Sequence, residues 1–555
     1  MKFSKFLWGF MIISAFLSGC SYLDYNESSF YKENDIFSEM NRNQGFLTNI
    51  YSYLPNDLSS FSDGSIRSSA TDEAEDVHYG AVSQRFNIGA WSAVSPLDDQ
   101  WSHYYAGIRA ANMFLEKAAG KTFDDLKYND SYKQNMIEYN YYSYEARFLR
   151  AFFYFELIKR YGDVPLVTKV LTPEESNKVT RTPFSEVVTF ITSECDSAAA
   201  KLPVNFTNTL NKETGRVTRG TAMALKARVL LYAASPLHNP ENTTDKWVAA
   251  AAASKALIDS AGRFGYILET NYNSAFNNVT SKEVIFSTRE SAQNYFERYN
   301  FPVGYEGGNS GTCPTQNLVD AFEMKANGLG IDEPGSGYNP ANPYAGRDPR
   351  LAFTILYNNA SWKGLPVEVW TGGRNGAPQI EATKTGYYLK KYVIESINLD
   401  PNNLTSKIHN WVLFRYAEVL LNYAEAMNEA FGPDNASTFG MTARAAVNLV
   451  RNRNNVKMPL FPAGMTKDAF RTKLRNERRV ELAFEDHRFW DVRRWNTGNT
   501  TTDIYGMNVE KNEDGTFTYS KKIVETRVFD EKMNLYPVPQ SEIYINPALS
   551  QNPGW

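Results

Sequence analysis

The chain has 555 residues, of which 58 are basic and 62 acidic, and its formal net charge at pH 7 is −4. This balance gives no general electrostatic basis for binding nucleic acid or an anionic membrane surface, while the length allows a large core and more than one domain. Aromatic residues are frequent, with 34 Tyr, 34 Phe and 10 Trp, and they favour surfaces suited to packing and to stacking on ligands.

The first 20 residues predict export. Lys2 and Lys5 precede an apolar run, residues 6–17, that is about half the roughly 20 residues a helix needs to span a bilayer. The tetrapeptide that follows, residues 17–20, resembles the bacterial lipobox, whose cysteine becomes the N-terminus and carries diacylglycerol. A multiply acylated Cys20 would be a stable anchor, since each buried CH₂ contributes about 0.8 kcal/mol. An ordinary cleaved signal is the alternative.

Beyond the signal, the chain predicts a soluble body tied to a membrane. Removal of residues 1–19 takes away two lysines and no acids, so the mature charge becomes −6. No later stretch approaches 18 uninterrupted apolar residues. Cys195 and Cys313 are too few and too distant in sequence for a disulfide framework, and we expect two free buried thiols, with a single bridge as the alternative.

In chain order, a polar and aromatic segment at residues 21–40 predicts a tether followed by a docking segment. Helical periodicity then dominates as far as Leu202, with a long helix over residues 132–161 that Gly162 ends. A strand is expected at 164–167, and further helices at 183–201, 221–234 and 246–261. The alternation of small and large residues suggests tetratricopeptide-like helical hairpins without a strict 34-residue repeat.

Residues 262–408 differ in composition from the helical regions. Glycine, proline, asparagine and aromatic residues crowd this stretch, which predicts loops and short strands at 284–287, 353–356 and 387–393. Loops this long in a compact protein are often functional, so we expect part of a binding site here. Helices are predicted again at 411–430, 442–453 and 466–495, followed by a polar, partly extended tail.

Several ordered motifs resemble the SusD/RagB family of lipid-anchored nutrient-binding proteins of the Bacteroidetes outer membrane. The most characteristic is the run RNERRVELAFE at 475–485 with RFWDVRRW at 488–495. The other motifs agree in order along nearly the whole mature chain: residues 145–165, 224–236, 314–319, 347–351, 415–418 and 535–539.

The resemblance implies a mainly α fold, a tetratricopeptide-like hairpin scaffold carrying an irregular, loop-rich subdomain with short strands. It also implies a SusC-like TonB-dependent barrel as partner, with this chain as its extracellular lid, an oligosaccharide or less often a peptide as ligand, and no catalysis and no cofactor. We therefore divide the chain into a signal peptide (1–19), a lipid-anchored tether (20–40), an N-terminal helical region (41–261), a loop-rich insertion (262–408) and a C-terminal signature region (409–555).

Glycan binding requires flat aromatic faces beside groups that hydrogen-bond to hydroxyls. Two regions supply both, roughly where family members place ligand residues. The first contributes Asp76, Tyr79, Arg85, Asn87 and Trp91, and the second Tyr295, Arg298, Tyr299, Asn300 and Tyr305. Each aromatic side chain taken alone is more often part of a core than of a ligand site.

Charged clusters have structural interpretations as well. In the 471–495 segment, acids are interleaved with the basic residues, and Arg488 is three positions from both Glu485 and Asp491, which predicts ion pairs along the helix. The acids of residues 72–76 are expected to be solvated or paired with arginine, a calcium site being the alternative. The five histidines show no zinc-binding pattern.

The leading hypothesis is a non-catalytic, surface-exposed outer-membrane lipoprotein that captures an oligosaccharide and passes it to a TonB-dependent transporter. A peptide-binding or envelope-assembly scaffold is the second hypothesis. A lipid-anchored glycosidase is the third hypothesis. The chain carries no Gly-x-Ser-x-Gly or phosphate-loop motif, which argues against an enzyme. Paired carboxylates, however, can meet in space without a sequence signature, so the hypothesis stays open.

Overall fold

The computed structural model describes residues 32–56, 58–207, 212–289 and 291–555. The predicted signal peptide, Cys20 and the tether as far as residue 31 lie outside the described residues. Within the described ranges, every helix falls short of the length and hydropathy needed to cross a membrane.

Helices account for most of the regular structure. They are α1 (Glu33–Ser38), α2 (Met40–Tyr51), α3 (Val82–Asn87), α4 (Trp101–Lys117), α5 (Tyr132–Tyr161), α6 (Pro173–Ser176), α7 (Phe184–Lys201), α8 (Arg219–Ala234), α9 (Thr244–Phe264), α10 (Ser274–Asn277), α11 (Tyr295–Asn300), α12 (Gln316–Ala321), α13 (Arg350–Thr354), α14 (Tyr416–Phe431), α15 (Ala443–Arg451), α16 (Lys467–Glu481), α17 (Arg488–Arg494) and α18 (Gln540–Ile545).

The strands are short and pair in twos. They are β1 (Ala74–Asp76), β2 (Val284–Arg289), β3 (Thr312–Pro314), β4 (Ile355–Leu356), β5 (Ser361–Trp362), β6 (Leu365–Pro366), β7 (Tyr388–Leu389), β8 (Asn410–Arg415), β9 (Asp503–Lys511) and β10 (Phe517–Thr526). The antiparallel pairs are β1 with β3, β2 with β8, β4 with β7, β5 with β6, and β9 with β10.

The longer helices pack against one another in pairs, some between neighbours in sequence and some between helices far apart in the chain. The packed pairs are α4 with α5, α5 with α7, α7 with α8, α8 with α9, α9 with α14, and α14 with both α15 and α16. This arrangement of paired helices with only short strands confirms the predicted mainly α fold class. One large apolar core lies beneath the helices and the loop-rich insertion, and a second joins α8, α9, α14, α15 and α16.

The long helix α5 follows from its sequence. Its 30 residues contain neither glycine nor proline, and both its faces carry buried aromatic residues that pack on neighbours. Gly162 ends the helix with φ of 72°, a backbone conformation that other residues rarely adopt. The segment after it forms a single β-bridge, Val164 to Thr182, where a four-residue strand was expected.

The helix predicted over 411–430 is wrong at its start. Residues Asn410–Arg415 form β8, which pairs antiparallel with β2 and is buried along its whole length, and the helix begins only at Tyr416. A short apolar run fits a buried strand as well as a buried helix, so periodicity could not separate the two.

The helix predicted over 466–495 is interrupted. It divides into α16 and α17, with Phe484 and Asp486 both in the left-handed backbone region at φ of 61°. No glycine or proline marks the break. Asp486 is held instead by Arg67, whose Nε donates to its carboxylate at 2.8 Å, and by Trp490 Nε1 at 3.1 Å.

Two predicted strands of the loop-rich insertion are shorter than expected. Residues 350–354 form the helix α13, so only Ile355 and Leu356 of the 353–356 stretch are extended. In the 387–393 stretch, only Tyr388 and Leu389 pair in a strand. Tyr392 has φ of 67°, which no strand accommodates, so the extended run cannot continue through it.

The charged residues of the signature segment form a buried ionic core. Glu481 accepts hydrogen bonds from Arg415 and Arg453, both at 2.8 Å, and from Arg350 at 2.8 Å. The prediction that the charged residues of this segment form structural ion pairs is therefore confirmed. For Arg488, however, the predicted partners are wrong, because it pairs with Asp72 from another part of the chain. Helical spacing cannot report such tertiary partners.

Candidate functional site

Asp76 and Tyr299, one from each of the two predicted binding regions, are in direct contact. Tyr299 Oη donates a hydrogen bond to Asp76 Oδ2 at 3.0 Å. The other carboxylate oxygen accepts the backbone N–H of His78 and lies 3.0 Å from its ring Nδ1. The fold thus unites regions that are 223 residues apart in sequence.

Backbone pairing fixes the two halves of this cluster. Asp76 ends β1 and stands opposite Thr312 of β3. The backbone N–H of Thr312 in turn donates to Asn300 Oδ1 at 3.1 Å, and Asn300 closes α11, the helix that carries Tyr299. Asn300 is itself fully buried, so its role is to connect α11 to the strands.

Two glycines leave room for the Tyr299 ring. A Cβ atom at Gly64 would lie 2.8 Å from Tyr299 Cδ2, and one at Gly311 would overlap Tyr299 Cδ1. Real side chains do not approach this closely, so both backbone segments pack directly on the ring. The phenol is therefore held in one position before any ligand arrives.

The imidazole of His78 connects this cluster to the loop-rich insertion. Its ring centroid is 4.8 Å from that of Tyr299, and Nε2 is 3.9 Å from Glu381 Oε1. The hydrogen bond to Asp76 raises the pKa of His78 above its ordinary value. The His78 side chain remains 24% exposed, so the imidazole is partly accessible from solvent.

Exposed apolar side chains stand on either side of the His78 and Glu381 pair in sequence. Tyr79 follows His78 and is fully exposed, while Ile380 precedes Glu381 and is 84% exposed. An exposed phenol of this kind offers a free face for stacking. The cluster therefore holds fixed donors and acceptors, and an exposed phenol follows His78 directly in sequence.

The remaining residues of the first region make their hydrogen bonds and ring contacts with other parts of the fold. Arg85 Nη2 donates to Ser95 Oγ at 3.2 Å, and Asn87 is buried and donates to the backbone oxygen of Ser69 at 3.1 Å. Trp91 is only 7% exposed, and the rings of Phe86, Tyr536 and Trp555 cover it at centroid distances of 5.0, 5.2 and 4.5 Å. The structure places Asn87 and Trp91 in the core.

In the second region, Tyr295 and Arg298 lie on the exposed side of α11, and Tyr295 is 47% exposed. Tyr305 is half-buried: its hydroxyl donates to the backbone oxygen of Trp362 at 3.2 Å, and the guanidinium of Arg374 lies 5.1 Å from its ring centroid. These residues flank the cluster at Tyr299 without contacting Asp76.

Sequence reasoning missed His78, Ile380 and Glu381. His78 was counted only among scattered histidines, and Glu381 lies about 300 positions downstream in a loop without a motif. The one usable signal was local: His78 lies between two residues already proposed as ligands, Asp76 and Tyr79.

Two of the four acidic residues at 72–76, Asp72 and Glu75, are paired with arginines, as one of the two interpretations predicted. Asp72 lies 2.8 Å from Arg488 and 2.9 Å from Arg479, and Glu75 lies 2.8 Å from Arg527. Burial alone would raise the pKa of Asp72, but the two guanidinium groups hold it at about 2. Among the described residues, no group of three His, Cys, Asp or Glu side chains could hold a metal.

The two cysteines are separate. Cys195 and Cys313 are both free and buried, which confirms the preferred prediction and excludes the bridge between them. Burial raises the pKa of both thiols well above the ordinary value, so neither is a reactive nucleophile at neutral pH.

Comparison with known protein families gives two matches that together cover most of the chain. The model of the SusD family matches residues 266–555. A second model, described as starch-binding and associating with the outer membrane, matches residues 21–231.

Individual relatives agree with these matches. SusD-like protein P2 of Formosa agariphila is 27% identical over 473 residues, covering 82% of this chain and 80% of its own length. A SusD-like protein of Bacteroides fragilis superimposes with a TM-score of 0.76 at 28% identity, covering 95% of this chain and 99% of its own. A second B. fragilis structure, a SusD-like carbohydrate-binding protein, gives a TM-score of 0.74 at 27% identity over 93% of this chain and all of its own.

Proposed function

The chain belongs to the SusD family, and from this we propose that it is a non-catalytic, lipid-anchored protein that captures oligosaccharides at the outer membrane. The observation that carries the proposal is the cluster of Asp76, His78 and Tyr299, with the exposed side chain of Tyr79 following His78 in sequence. The carbohydrate-binding relative of the same fold supports a glycan as the ligand.

Binding would combine stacking with hydroxyl recognition. A pyranose has an apolar C–H face, and burying on the order of 100 Å² of it against Tyr79 would stabilise the complex by about 2.5 kcal/mol at 25 cal/mol per Å². His78 Nε2 and the Glu381 carboxylate would then bind hydroxyls at the edge of the sugar. Asp76 would not contact the sugar, because its carboxylate already accepts hydrogen bonds from the protein.

The Asp76 environment favours binding over hydrolysis. Glycoside cleavage requires two carboxyl groups on either side of the scissile bond, one as acid and one as nucleophile or base. Asp76 is fully buried and its carboxylate hydrogen-bonds to Tyr299 and His78. Its role is to hold these two side chains in place. Incubation with a bound glycan should therefore release no new reducing ends, and their release would establish a glycosidase instead.

We further propose that the ligand passes to a SusC-like TonB-dependent barrel, with this protein as the lid over its extracellular mouth. Diacylglycerol and a further acyl chain on Cys20 would anchor the protein to the outer membrane, facing outward. Isolation of the native lipoprotein in mild detergent should co-purify a barrel protein of about 100 kDa or more. Repeated recovery of the lipoprotein alone would contradict the lid role without affecting glycan binding.

The ligand site itself is tested by calorimetric titration of residues 21–555 with a panel of polysaccharides. For the glycan that binds, Tyr79→Ala should weaken affinity at least about tenfold, the loss expected from removing roughly 1.4 kcal/mol of stacking. Tyr128→Ala is the matched control. Tyr128 is exposed too, at 86%, but it lies in the segment before α5 and not in the candidate site. Equal effects of the two substitutions, or binding of peptides in place of glycans, would overturn the assignment.

A further inference from the structure

A groove of about 580 Å³ runs along α4, on a part of the scaffold distinct from the cluster at Asp76. Its floor is the helix itself, and its walls are the segment at 165–179 and the region around α18 at 542–549. Apolar side chains dominate the lining, which includes Trp101, Tyr105, Ile108, Val167, Leu171 and Leu549. A groove of this volume is within the range of sites that bind ligands or chain segments.

The walls are attached to α4 by specific hydrogen bonds. Tyr105 Oη donates to the backbone oxygen of Pro165 at 2.8 Å, and Asn112 Nδ2 donates to that of Val167 at 3.1 Å. At the other wall, Ser102 Oγ donates to Glu542 at 3.1 Å. The groove is therefore preformed, and its rim leaves Ile545 59% exposed.

The described chain begins at one end of this groove. Glu33 lies 2.9 Å from Lys117, the last residue of α4, and Lys121 Nζ donates to the backbone oxygen of Phe37 at 2.6 Å. Glu116, beside Lys117, accepts the backbone N–H of Val170 from the groove wall at 2.8 Å. The chain preceding Lys32 therefore starts next to the end of the groove at which this wall meets α4.

The length of that preceding segment matches the groove. Residues 21–31 number eleven, and fully extended they reach about 36 Å at 3.3 Å per residue. The distance along α4 from Lys117 back to Trp101 is about 24 Å at 1.5 Å per residue. The segment is thus long enough to cover the whole groove.

Its composition matches as well. Five of the eleven residues are large and apolar or aromatic: Tyr22, Leu23, Tyr25, Phe30 and Tyr31. The two charged residues, Asp24 and Glu27, are both acidic. Arg109 lines the groove, where it donates to the backbone oxygen of Leu171 at 3.4 Å and pairs with no carboxylate of the described residues.

We propose that residues 21–31 bind in the α4 groove, with their apolar side chains in the trough and an acidic side chain on Arg109. Binding shortens the free chain between residue 20 and the folded body, and release lengthens it. The groove thereby sets how far the body can move from whatever holds the N-terminus, and this conclusion does not depend on the ligand site.

Disulfide trapping tests the proposal. Residues 21–555 retain every described element, since the described chain starts at Lys32, and both native cysteines are buried. Asn26→Cys combined with Ala106→Cys, which lies exposed in the groove, should form an intramolecular disulfide under mild oxidation. The control pairs Asn26→Cys with Ala249→Cys, an exposed alanine in a different groove beside α9.

A disulfide formed at least about tenfold faster at position 106 than at position 249 supports the proposal. Equal rates at the two positions would overturn it. Disulfide-linked dimers whose yield rises with protein concentration would also overturn it, because a second copy would then be the occupant of the groove.

Filling the groove provides an independent measurement. Ala106→Trp should expose the tether and increase its rate of cleavage by chymotrypsin at least about tenfold, because the protease attacks only the undocked state. Ala249→Trp should leave the rate unchanged, and circular dichroism should show both variants folded. Equal cleavage rates in the two variants and the parent chain would contradict docking.

Discussion

The carboxylate of Asp72 accepts two hydrogen bonds from the guanidinium group of Arg488, from Nε at 2.8 Å and from Nη2 at 2.9 Å. Arg479 adds a third contact at 2.9 Å. Asp72 directly precedes the stretch that carries Asp76 and His78, and the two arginines belong to α16 and α17. The charged signature of the C-terminal region therefore supports the backbone on which the candidate ligand site is built.

We expect Arg488→Gln to lower the free energy of unfolding by about 3 kcal/mol, because it removes the bidentate partner of a buried carboxylate. Urea denaturation measures the change. Asp196→Asn is the control, since it removes an ion pair with Lys226 in which Asp196 is 61% exposed, and should cost less than about 1 kcal/mol. Similar losses in the two variants would contradict a structural role for the Asp72 pair.

Glu73 is expected to make the stability of the fold depend on pH. Burial raises its pKa from 4.5 to about 7, with Arg479 opposing the shift, and its Oε1 has no hydrogen-bond partner within the part of the chain that the structure describes. Because the folded-state pKa is the higher one, ionising Glu73 destabilises the fold as pH rises from about 4.5 to 7. The full effect of a shift this large is about 3 kcal/mol.

Glu73→Gln removes this titration while keeping the shape of the side chain. The Gln variant should therefore gain about 2 to 3 kcal/mol of stability relative to the parent chain between pH 5 and pH 8, seen as a larger free energy of unfolding at pH 8. Urea denaturation at the two pH values measures the difference. A difference between the two proteins that is the same at both pH values would show that Glu73 has an ordinary pKa.

Gly64 and Gly80 form a matched pair for testing how rigidly Tyr299 must be held. Both have positive φ, 90° and 83°, so alanine strains the backbone at either position. Of the two, only Gly64 would bring its new Cβ against Tyr299, at 2.8 Å, whereas no atom of the described residues lies within 4 Å of a Cβ at Gly80. Gly64→Ala should therefore displace the phenol from Asp76 and weaken glycan affinity, measured by calorimetry, about tenfold more than Gly80→Ala. Equal affinities would show that the position of Tyr299 does not matter for binding.

The sequence predicts the helices of the scaffold correctly where a helical periodicity of apolar residues continues over several turns, as in α5 and α8. It failed where a local pattern fits two structures equally: Asn410–Arg415 is a buried strand because β2 lies beside it, and the break at Phe484 exists because Arg67 and Trp490 bind Asp486. In both cases the deciding partner is distant in sequence.

In the candidate site, too, the sequence predicted some residues correctly and could not predict those whose position depends on distant partners. Composition and the family resemblance together selected both stretches that meet at Asp76 and Tyr299, because aromatic and polar residues are concentrated there. It could not distinguish Tyr79, which is fully exposed, from Trp91, which is packed against Trp555. Nor could it select Glu381, because only folding brings that loop to His78.

The charges around the site predict the class of glycan. Glu381 lies beside His78. Burial, then Asp76 and Asp63, raise the pKa of Tyr299, and the hydrogen bond to Asp76 with the charges of Glu381 and Asp63 raises that of His78. These three carboxylates outnumber the exposed guanidinium of Arg298 on α11, so negative charge predominates there. The nearby Lys384 does not offset it, since it lies 3.8 Å from buried Glu75. A sulfated or uronic-acid polymer would therefore be repelled, whereas a neutral polymer would not.

We expect neutral oligosaccharides to bind at least about tenfold more tightly than anionic ones of equal length in 10 mM salt, where charges act over about 30 Å, and the ratio to fall in 1 M salt. Glu381→Gln should reduce the ratio as well. Glu186→Gln, an exposed position on α7, should leave it unchanged. Calorimetric titration of the three proteins with matched neutral and sulfated glucans measures these ratios. Tighter binding of the sulfated glucan by the parent chain would show that the acidic groups do not face the ligand, and would remove Glu381 from the site.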